Sequence, residues 1–375
     1  MPLIDSITDW LISRSTAATL ELGTNRLFFC DGKYQNGRFT IDGIRSSNSE
    51  TGYVKSDDSS DSYDSLALRA GIEKLCTGKM PRQKHVSVII PDSMFYMGAI
   101  SVPAVAAKTG VKPLLQRELQ KSAPRAYGEY SLRYETAERK GNKHNIQFCA
   151  LANQTVEVLS LLCLRSNLVP ISIQPAFVGL LRLLSLKPNE SEHPGVFLHF
   201  DMEGATLGIY DKNGLRSLTQ IEIGVNSLLE ALKNGMNCNY SVAWQTLFTE
   251  PLLLEDPAAA EAQLEINSFR FVESILADFL QKIYGILLLF SSENQKNTGF
   301  TRIVLSGQGA MINNIDRLVA YNLGIPTHRI SREFADTDIK FPVISGESLE
   351  TIATVLGNIV LDPAKIDRYD RTMAA

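Results

Sequence analysis

The sequence predicts an α/β protein of two duplicated lobes, with a small α/β subdomain inserted in the first. Three observations predict it. An apolar strand that ends in an acid and turns at glycine into a hairpin occurs at Thr16 to Ser47, and again at Phe197 to Asn226, about 180 residues later. Strand-like alternation and helix-like spacing follow one another along the chain. A segment with its own helix and hairpin, 103–168, interrupts the first repeat. The repetition is one of pattern and not of residue identity, and it points to duplication. The expected boundaries are 16–102 and 169–195 for the first lobe, 103–168 for the insert, 196–360 for the second lobe and 361–375 for a tail.

In chain order, residues 1–15 carry Leu3, Ile4, Ile7, Trp10 and Leu11, an amphipathic piece expected to dock on the body. Its acidic charge argues against a membrane face. The first repeat has a strand ending at Glu21, a turn at Gly23-Thr24 and a strand Leu27 to Cys30. Turns at Asp31-Gly32 and Asn36-Gly37 lead to a third strand near Phe39 to Ile44. Residues 48–65 are rich in Ser, Asp and Gly and read as a loop. A helix over Tyr63 to Cys76 follows, then two strands within 85–103, broken at Pro91-Asp92.

In the insert, Val111, Leu114, Leu115 and Leu119 stand at helical spacing over Thr109 to Ser122. Strands 129–137 and 144–151 flank a turn at 140–143, and a helix spans Gln154 to Ser166. A strand Val169 to Ile173 and a helix Pro175 to Leu186 return to the lobe. In the second repeat the strand ends at Asp201 and turns at Gly204. Leu207 with Ile209, and Leu218 with Ile221 and Ile223, alternate on either side of a turn at 211–214. Gly224 opens the first of three helices, 224–235, 240–249 and 257–290. Residues 300–330 read as strand, glycine turn (Ser306-Gly307-Gln308-Gly309), amphipathic helix and short strand. A helix from Ser348 to Val360 precedes a charged, frayed tail.

Composition excludes several function classes. At 375 residues, 44% apolar and 21% charged, the chain has room for two well-cored domains. A net charge of −4 gives no electrostatic case for nucleic acid or an anionic membrane surface. Five scattered cysteines without CxxC spacing fit free thiols in a reducing compartment. His85, His144, His193, His199 and His328 lack metal spacing, and Trp10 and Trp244 read as core. No Ser-His-Asp or Cys-His arrangement is deducible. No signal peptide is visible, and the most apolar window, Ile283 to Phe290, reads as too short to span a bilayer. The expectation is a cytoplasmic protein linked to a membrane only through a partner.

The turns carry the chemistry. A strand, an acid and a small-residue turn suit a loop that wraps a phosphate with backbone N–H groups. Gly-x-Gly before a helix suits a sugar or phosphate at the helix start. An ordinary β-meander and an ordinary strand–helix turn read the same way, and the residues by themselves leave both open.

In order, Glu21-x-Gly23-Thr24, Asp201 with Gly204-Ala205-Thr206, and Ser306-Gly307-x-Gly309 resemble the actin-like ATPase superfamily, with its duplicated actin/RNase H-like (ribonuclease H-like) fold. More narrowly they resemble the PilM-type type IV pilus assembly proteins, relatives of FtsA and of the cytoplasmic part of the type II secretion L protein. The segments VSVIIPDSMFYMGAISVP, LLQRELQKSAPRAYGEYSLRYE and GFTRIVLSGQGAMINNIDRLVAYNLGIP are similar to that family's, and the resemblance covers about residues 16–360. It implies a nucleotide between two lobes. Glu21, Gly23, Thr24 and Asn25 would form a first phosphate loop. Asp201, Glu203, Gly204, Ala205 and Thr206 would form a second, and Gly307, Gln308 and Gly309 would lie near the adenosine.

The departures from the family pattern bear on that site. Glu21 stands where the family carries Asp and is longer by one methylene. Asp201-Met202-Glu203 replaces Asp-x-Gly, which sets a carboxylate near a polyphosphate, a repulsion of up to about 4 kcal/mol at roughly 4 Å. Gly307-Gln308-Gly309 replaces three glycines, and Ala243-Trp244-Gln245-Thr246-Leu247 lacks the usual acid and cation. The resemblance with these departures implies ATP and Mg²⁺ binding that is weak or absent, in a scaffold for a pilus or secretion platform. Its partner would be the N-terminal cytoplasmic tail of an inner-membrane PilN-like protein, with the assembly motor ATPase as a second partner. The alternative is an active ATPase or sugar kinase, reached if a gap aligns Gly204 with the usual glycine, with Asp201 as general base. An FtsA-like filament is disfavoured, because the tail sets Lys365, Arg368 and Arg371 among Asp362, Asp367 and Asp370 with few apolar residues.

Overall fold

A computed structural model describes residues 18–35, 38–48, 53–54, 62–63, 65–76, 84–103, 110–123, 126–140, 143–187, 191, 193–212, 214–252, 268–293, 299–339, 341 and 348–359. Expectations for 1–15, the Asn36-Gly37 turn, most of 48–65, the tip of the 140–143 turn, 257–267 and the tail 361–375 lie outside the described residues. The chain divides into two compact units. Unit 1 is Met1–Leu186, Thr337–Glu347 and Thr354–Ala375, and unit 2 is Lys187–Asp336 and Ser348–Ala353.

In unit 1, β1 (Ala18–Leu22) buries Ala18, Leu20 and Leu22, alternate residues on one face. It turns back antiparallel into β2 (Arg26–Gln35), which pairs with β3 (Arg38–Asn48). After the short pair β4 (Tyr53–Val54) and β5 (Ser62–Tyr63), helix α1 (Ser65–Cys76) buries Leu68, Ile72 and Leu75 at helical spacing. Strand β6 (Lys84–Ile90) lies parallel to β1. The chain then leaves this sheet for β7 (Tyr96–Pro103), α2 (Lys112–Ser122), β8 (Tyr130–Lys140) and β9 (Lys143–Ala152). It returns through α3 (Asn153–Arg165) to β10 (Leu168–Pro175), parallel to β6, and to α4 (Ala176–Leu184). The five strands run β10-β6-β1-β2-β3.

The three remaining long strands form a separate antiparallel sheet, β7-β9-β8. Helix α2 closes a small core on it with Val102, Val111, Leu115, Leu119, Ile146 and Phe148. This inserted layer begins at Tyr96 and ends at Ala152, where the sequence suggested 103 and 168. Strand β7 pairs with β9 from end to end, while α3 turns Leu159, Leu162 and Cys163 into the core of the five-stranded sheet.

In unit 2, β11 (Gly195–Phe200) is buried along its whole length. It runs antiparallel to β12 (Ala205–Asp211), which pairs with β13 (Gly214–Ile221). Helices α5 (Val225–Met236), α6 (Tyr240–Thr249) and α7 (Phe269–Glu293) follow. Strand β14 (Ile303–Ser306), helix α8 (Ile315–Leu323), β15 (Thr327–Arg329) and the short α9 (Ile330–Glu333) come next. The order β13-β12-β11-β14-β15, with β14 parallel to β11 and β15 parallel to β14, repeats the first sheet strand for strand. The duplication expected from two strand–acid–glycine segments is thus one of topology.

Helix α7 corrects one expectation. Among the described residues it is the one helix long and apolar enough, by length and composition, to cross a bilayer. Its apolar stretch starts well before Ile283. Val272, Leu276, Phe279, Ile283 and Leu287 form a stripe at helical spacing that is buried in the core of unit 2. A stripe of this kind is how a core helix reads.

The last helix, α10 (Leu349–Ile359), also departs from expectation. Its residues up to Ala353 group with unit 2, and from Thr354 onward with unit 1. Within unit 1 it crosses α4 at two glycines. A Cβ on Gly357 would lie 1.7 Å from the Gly179 carbonyl oxygen, and one on Gly179 would lie 2.2 Å from that of Thr354. Backbones approach this closely only where side chains are missing.

Candidate functional site

The residues singled out in the sequence sit at the C-terminal ends of β1, β11 and β14, where α/β sheets place their ligands. In unit 1 the turn Gly23–Asn25 closes the β1–β2 hairpin, with Leu22 opposite Leu27. A Cβ on Gly23 would sit 2.9 Å from the Arg26 carbonyl oxygen, so the tight turn calls for glycine. Thr24 is buried, and its Oγ1 has no hydrogen-bond partner. Glu21 accepts a hydrogen bond from Thr354 Oγ1 at 2.7 Å.

Thr354 leads into a polar row that sequence reasoning missed. Asn358 donates to the Thr354 carbonyl at 3.2 Å, and its Oδ1 accepts from both Gln174 and Arg182. Gln174 also donates to Ser87 Oγ at 3.2 Å. On the neighbouring strand end, buried Asp92 caps α4 by accepting from the Phe177 N–H at 3.1 Å. Burial, and then the Asp92 charge, push the thiol of half-buried Cys149 far up, which disfavours the thiolate.

In unit 2 the loop after β11 lies on the start of α5. Asp201 N–H donates to the Gly204 carbonyl at 2.9 Å. The carbonyls of Asp201 and Met202 accept from Val225 N–H and Asn226 N–H, each at 3.0 Å, so loop backbone already occupies these first donors of α5. Gly224 permits this approach, because a Cβ there would lie 2.2 Å from the Met202 carbonyl oxygen. Met202 is buried in the core. The Glu203 carboxylate accepts from Asn226 Nδ2 at 2.7 Å. Ala205 and Thr206 are buried residues of β12, opposite Phe200 and His199.

The turn after β14 adjoins that loop, since β14 pairs with β11. Gly307 has φ +85°, and its N–H donates to the Glu350 carbonyl at 2.9 Å. A Cβ on Gly307 would meet the Phe200 carbonyl oxygen at 2.5 Å, and one on Gly309 would meet the Phe200 ring at 2.2 Å. Phe200 itself stacks on Phe279 of α7 at 4.7 Å. Packing against one phenylalanine therefore accounts for both glycines, and Gln308 alone of the three is partly exposed. Beneath them His199 Nδ1 bonds Ser306 Oγ at 3.0 Å, while its Nε2 is buried without a partner. The only sequence signal for this pair is a histidine in an otherwise apolar strand.

No family model matches the chain, and no curated protein does. Solved structures do. The chain is similar to a PilM-PilN type IV pilus biogenesis complex, with a TM-score of 0.69 at 17% identity over 92% of this chain and 98% of that one. It is also similar to the ethanolamine utilization protein EutJ of Carboxydothermus hydrogenoformans, with a TM-score of 0.50 at 10% identity over 95% and 96%. ADP-bound MreB5 of Spiroplasma citri matches with a TM-score of 0.50 at 11% identity over 95% and 99%. The fold is that of the actin-like ATPases.

Within this actin-like fold, both loop carboxylates have partners inside their own units. Glu21 is engaged by Thr354 and Glu203 by Asn226, so neither carboxylate is left uncommitted. Among the described residues no group of three or more His, Cys, Asp and Glu side chains gathers as a metal site. On α6, Ala243 is buried and Trp244 lies against Phe248 and Tyr240, with ring centres 4.6 and 6.0 Å apart.

A second charged cluster sits away from these turns. Buried Glu333 accepts from Arg302 at 2.8 Å and pairs with His328 Nε2 at 2.6 Å, and Lys187 Nζ lies 3.7 Å away. Burial pushes the Glu333 carboxyl up, but the His328 hydrogen bond and the Arg302 and Lys187 charges outweigh it and hold it below the ordinary carboxylate value. Burial pushes the nearby Tyr210 hydroxyl to about 12. This is a neutralised structural cluster.

Proposed function

We propose that this chain is a cytoplasmic actin-like scaffold of a type IV pilus or type II secretion-type assembly platform. It is peripheral to the inner membrane and binds the cytoplasmic tail of a PilN-like membrane partner. The assembly motor ATPase is a second partner under this reading. The observation that carries it is the face of the β7-β9-β8 sheet left uncovered by α2. Ile146 and Phe148 of β9 point into the α2 core, so Gln147 and Cys149 face the other way. Met97 and Cys149 on that face pack on the larger core of unit 1. Further out, Gln147 pairs with Ala99 across the strands, and its buried Nε2 has no partner. Strand β7 is an edge, with Ala99 and Ser101 exposed, and an extended peptide adds to such an edge through backbone hydrogen bonds. The likeness to the PilM-PilN complex supports the same partner class. The nucleotide site is degenerate in this reading, for the reasons of Glu21, Glu203 and Trp244.

Fluorescence anisotropy with labelled N-terminal tail peptides of candidate membrane partners tests it. Micromolar binding is expected, weakened at least about tenfold in Ala99→Arg, which sets a long charged side chain on the edge strand. Failure of every candidate tail to bind would remove the proposal. One observation favours the alternative, an active ATP-binding protein or ATPase, or a sugar kinase of the same superfamily. The partnerless Thr24 Oγ1 is what a phosphate oxygen would satisfy. Phosphate release from Mg-ATP, abolished in Asp201→Asn, would establish that reading.

A further inference from the structure

Two helices cover one face of the first sheet, and their outer sides differ. Both pack into the same core, α1 with Leu68, Ile72 and Leu75 and α3 with Leu159, Leu162 and Cys163. The outer side of α1 is polar and carries the ion pair of Arg69 with Glu73 at 2.8 Å. The outer side of α3 carries two leucines one turn apart, Leu161 at 52% and Leu164 at 51% exposure. Strand β10, which α3 leads into, is an edge strand and exposes Ile171. Glu157 and Arg165, one anion and one cation, are also exposed on α3. The patch is therefore apolar without a net charge, which suits neither nucleic acid nor an anionic bilayer. Scattered single apolar residues are ordinary on a surface, whereas neighbouring ones mark a contact.

We infer that residues 3–11 of this same chain dock on α3 over Leu161 and Leu164. Leu3, Ile4, Ile7, Trp10 and Leu11 fall on one side of a helix, and Asp5, Thr8 and Asp9 on the other. A piece this short is not a stable helix by itself in water, so such a stripe needs a body to lie on. The chain delivers it to α3. The segment joins the body at Ala18, the start of β1. Strands β1, β6 and β10 are parallel neighbours, with Ala18 level with Val86 and Val86 level with Pro170. Only Ser166 and Asn167 separate the end of α3 from the start of β10, so Leu164 lies at the same end of the sheet as Ala18. The outer side of α3 stands about 15 Å above the sheet, a layer spacing of about 10 Å plus a helix radius of about 5 Å. Two strand spacings add about 10 Å sideways, for a distance of roughly 18 Å. The stretch from Leu11 to Ala18 reaches up to about 24 Å when extended. This inference does not depend on the partner-tail reading.

Tryptophan fluorescence of the full chain tests it, because Trp10 and Trp244 are the only tryptophans in the sequence. In a Trp244→Phe background Trp10 is the sole reporter. Its emission is expected in the blue range of a buried indole, with acrylamide quenching several-fold below that of free tryptophan. Leu161→Asp combined with Leu164→Asp should shift the emission to the red and raise quenching to the free value. Ile7→Asp, which leaves the body itself unchanged, should do the same. Leu288→Asp, at a leucine of α7 that is exposed in unit 2, should move nothing. Circular dichroism of each variant checks that it folds. A Trp10 emission already at the red limit before the aspartates are introduced would overturn the inference. So would a blue emission that the Leu161 and Leu164 changes leave in place, one that appears only as protein concentration rises, as docking on a second copy predicts, or one that appears only with phospholipid vesicles.

Discussion

Glu333 shows how one side chain is kept charged inside a protein. Its 3% exposure would favour the neutral acid, yet Arg302, His328 and Lys187 together make the carboxylate the stable form. Replacing it by Ala leaves half-buried Arg302 and His328 without their anion. Glu333→Ala is expected to lower stability by about 3 kcal/mol in a thermal or urea melt, and Glu333→Gln by less. The pH dependence has a definite sign. Because the folded carboxyl titrates below its ordinary 4.5, its contribution is complete above that value and is lost as pH falls through the folded one. The stability gap between wild type and Glu333→Gln should therefore close in acid below 4.5, measured by urea melts at successive pH. Glu21 behaves differently: it accepts a hydrogen bond from Thr354, and nothing in the local sequence reveals that partner, 333 residues away.

At the level of elements, the crossing of α4 and α10 depends on two missing side chains. Gly357→Val would drive a methyl group into the Gly179 carbonyl, which only a shift of α10 relieves. Overpacking of this kind costs about 1–3 kcal/mol, so the urea midpoint of the variant should fall. A midpoint equal to the wild type would mean that the helices do not cross there. Helix and strand identities were legible from period 3.6 and period 2, and all the described elements expected from the sequence are present. The edge of the insert was not legible. Strand β7 alternates in the same way whichever sheet it joins, and only its pairing with β9 assigns it.

At the scale of the whole molecule, the two sheets share one order and one pattern of strand directions, while their turns differ in what they hold. Commitment of both loop carboxylates to internal partners predicts that Mg-ATP stabilises the protein little. A ligand at a hundred times its Kd would add about 2.7 kcal/mol to stability, a shift readily seen by differential scanning fluorimetry. No shift is expected at millimolar Mg-ATP. A rise of several degrees would restore the nucleotide-binding reading and turn attention to Thr24.

The sequence by itself determined the duplicated α/β plan and the turns at Gly23, Gly204 and Gly307, because these depend on local periodicity and on backbone freedom. Only the tertiary structure decided that Phe200 explains Gly307 and Gly309, that Asn226 takes the Glu203 carboxylate and that α10 is divided at Thr354. Each of these depends on groups brought together by packing from distant parts of the chain, and packing leaves no periodic trace in the residues that it joins.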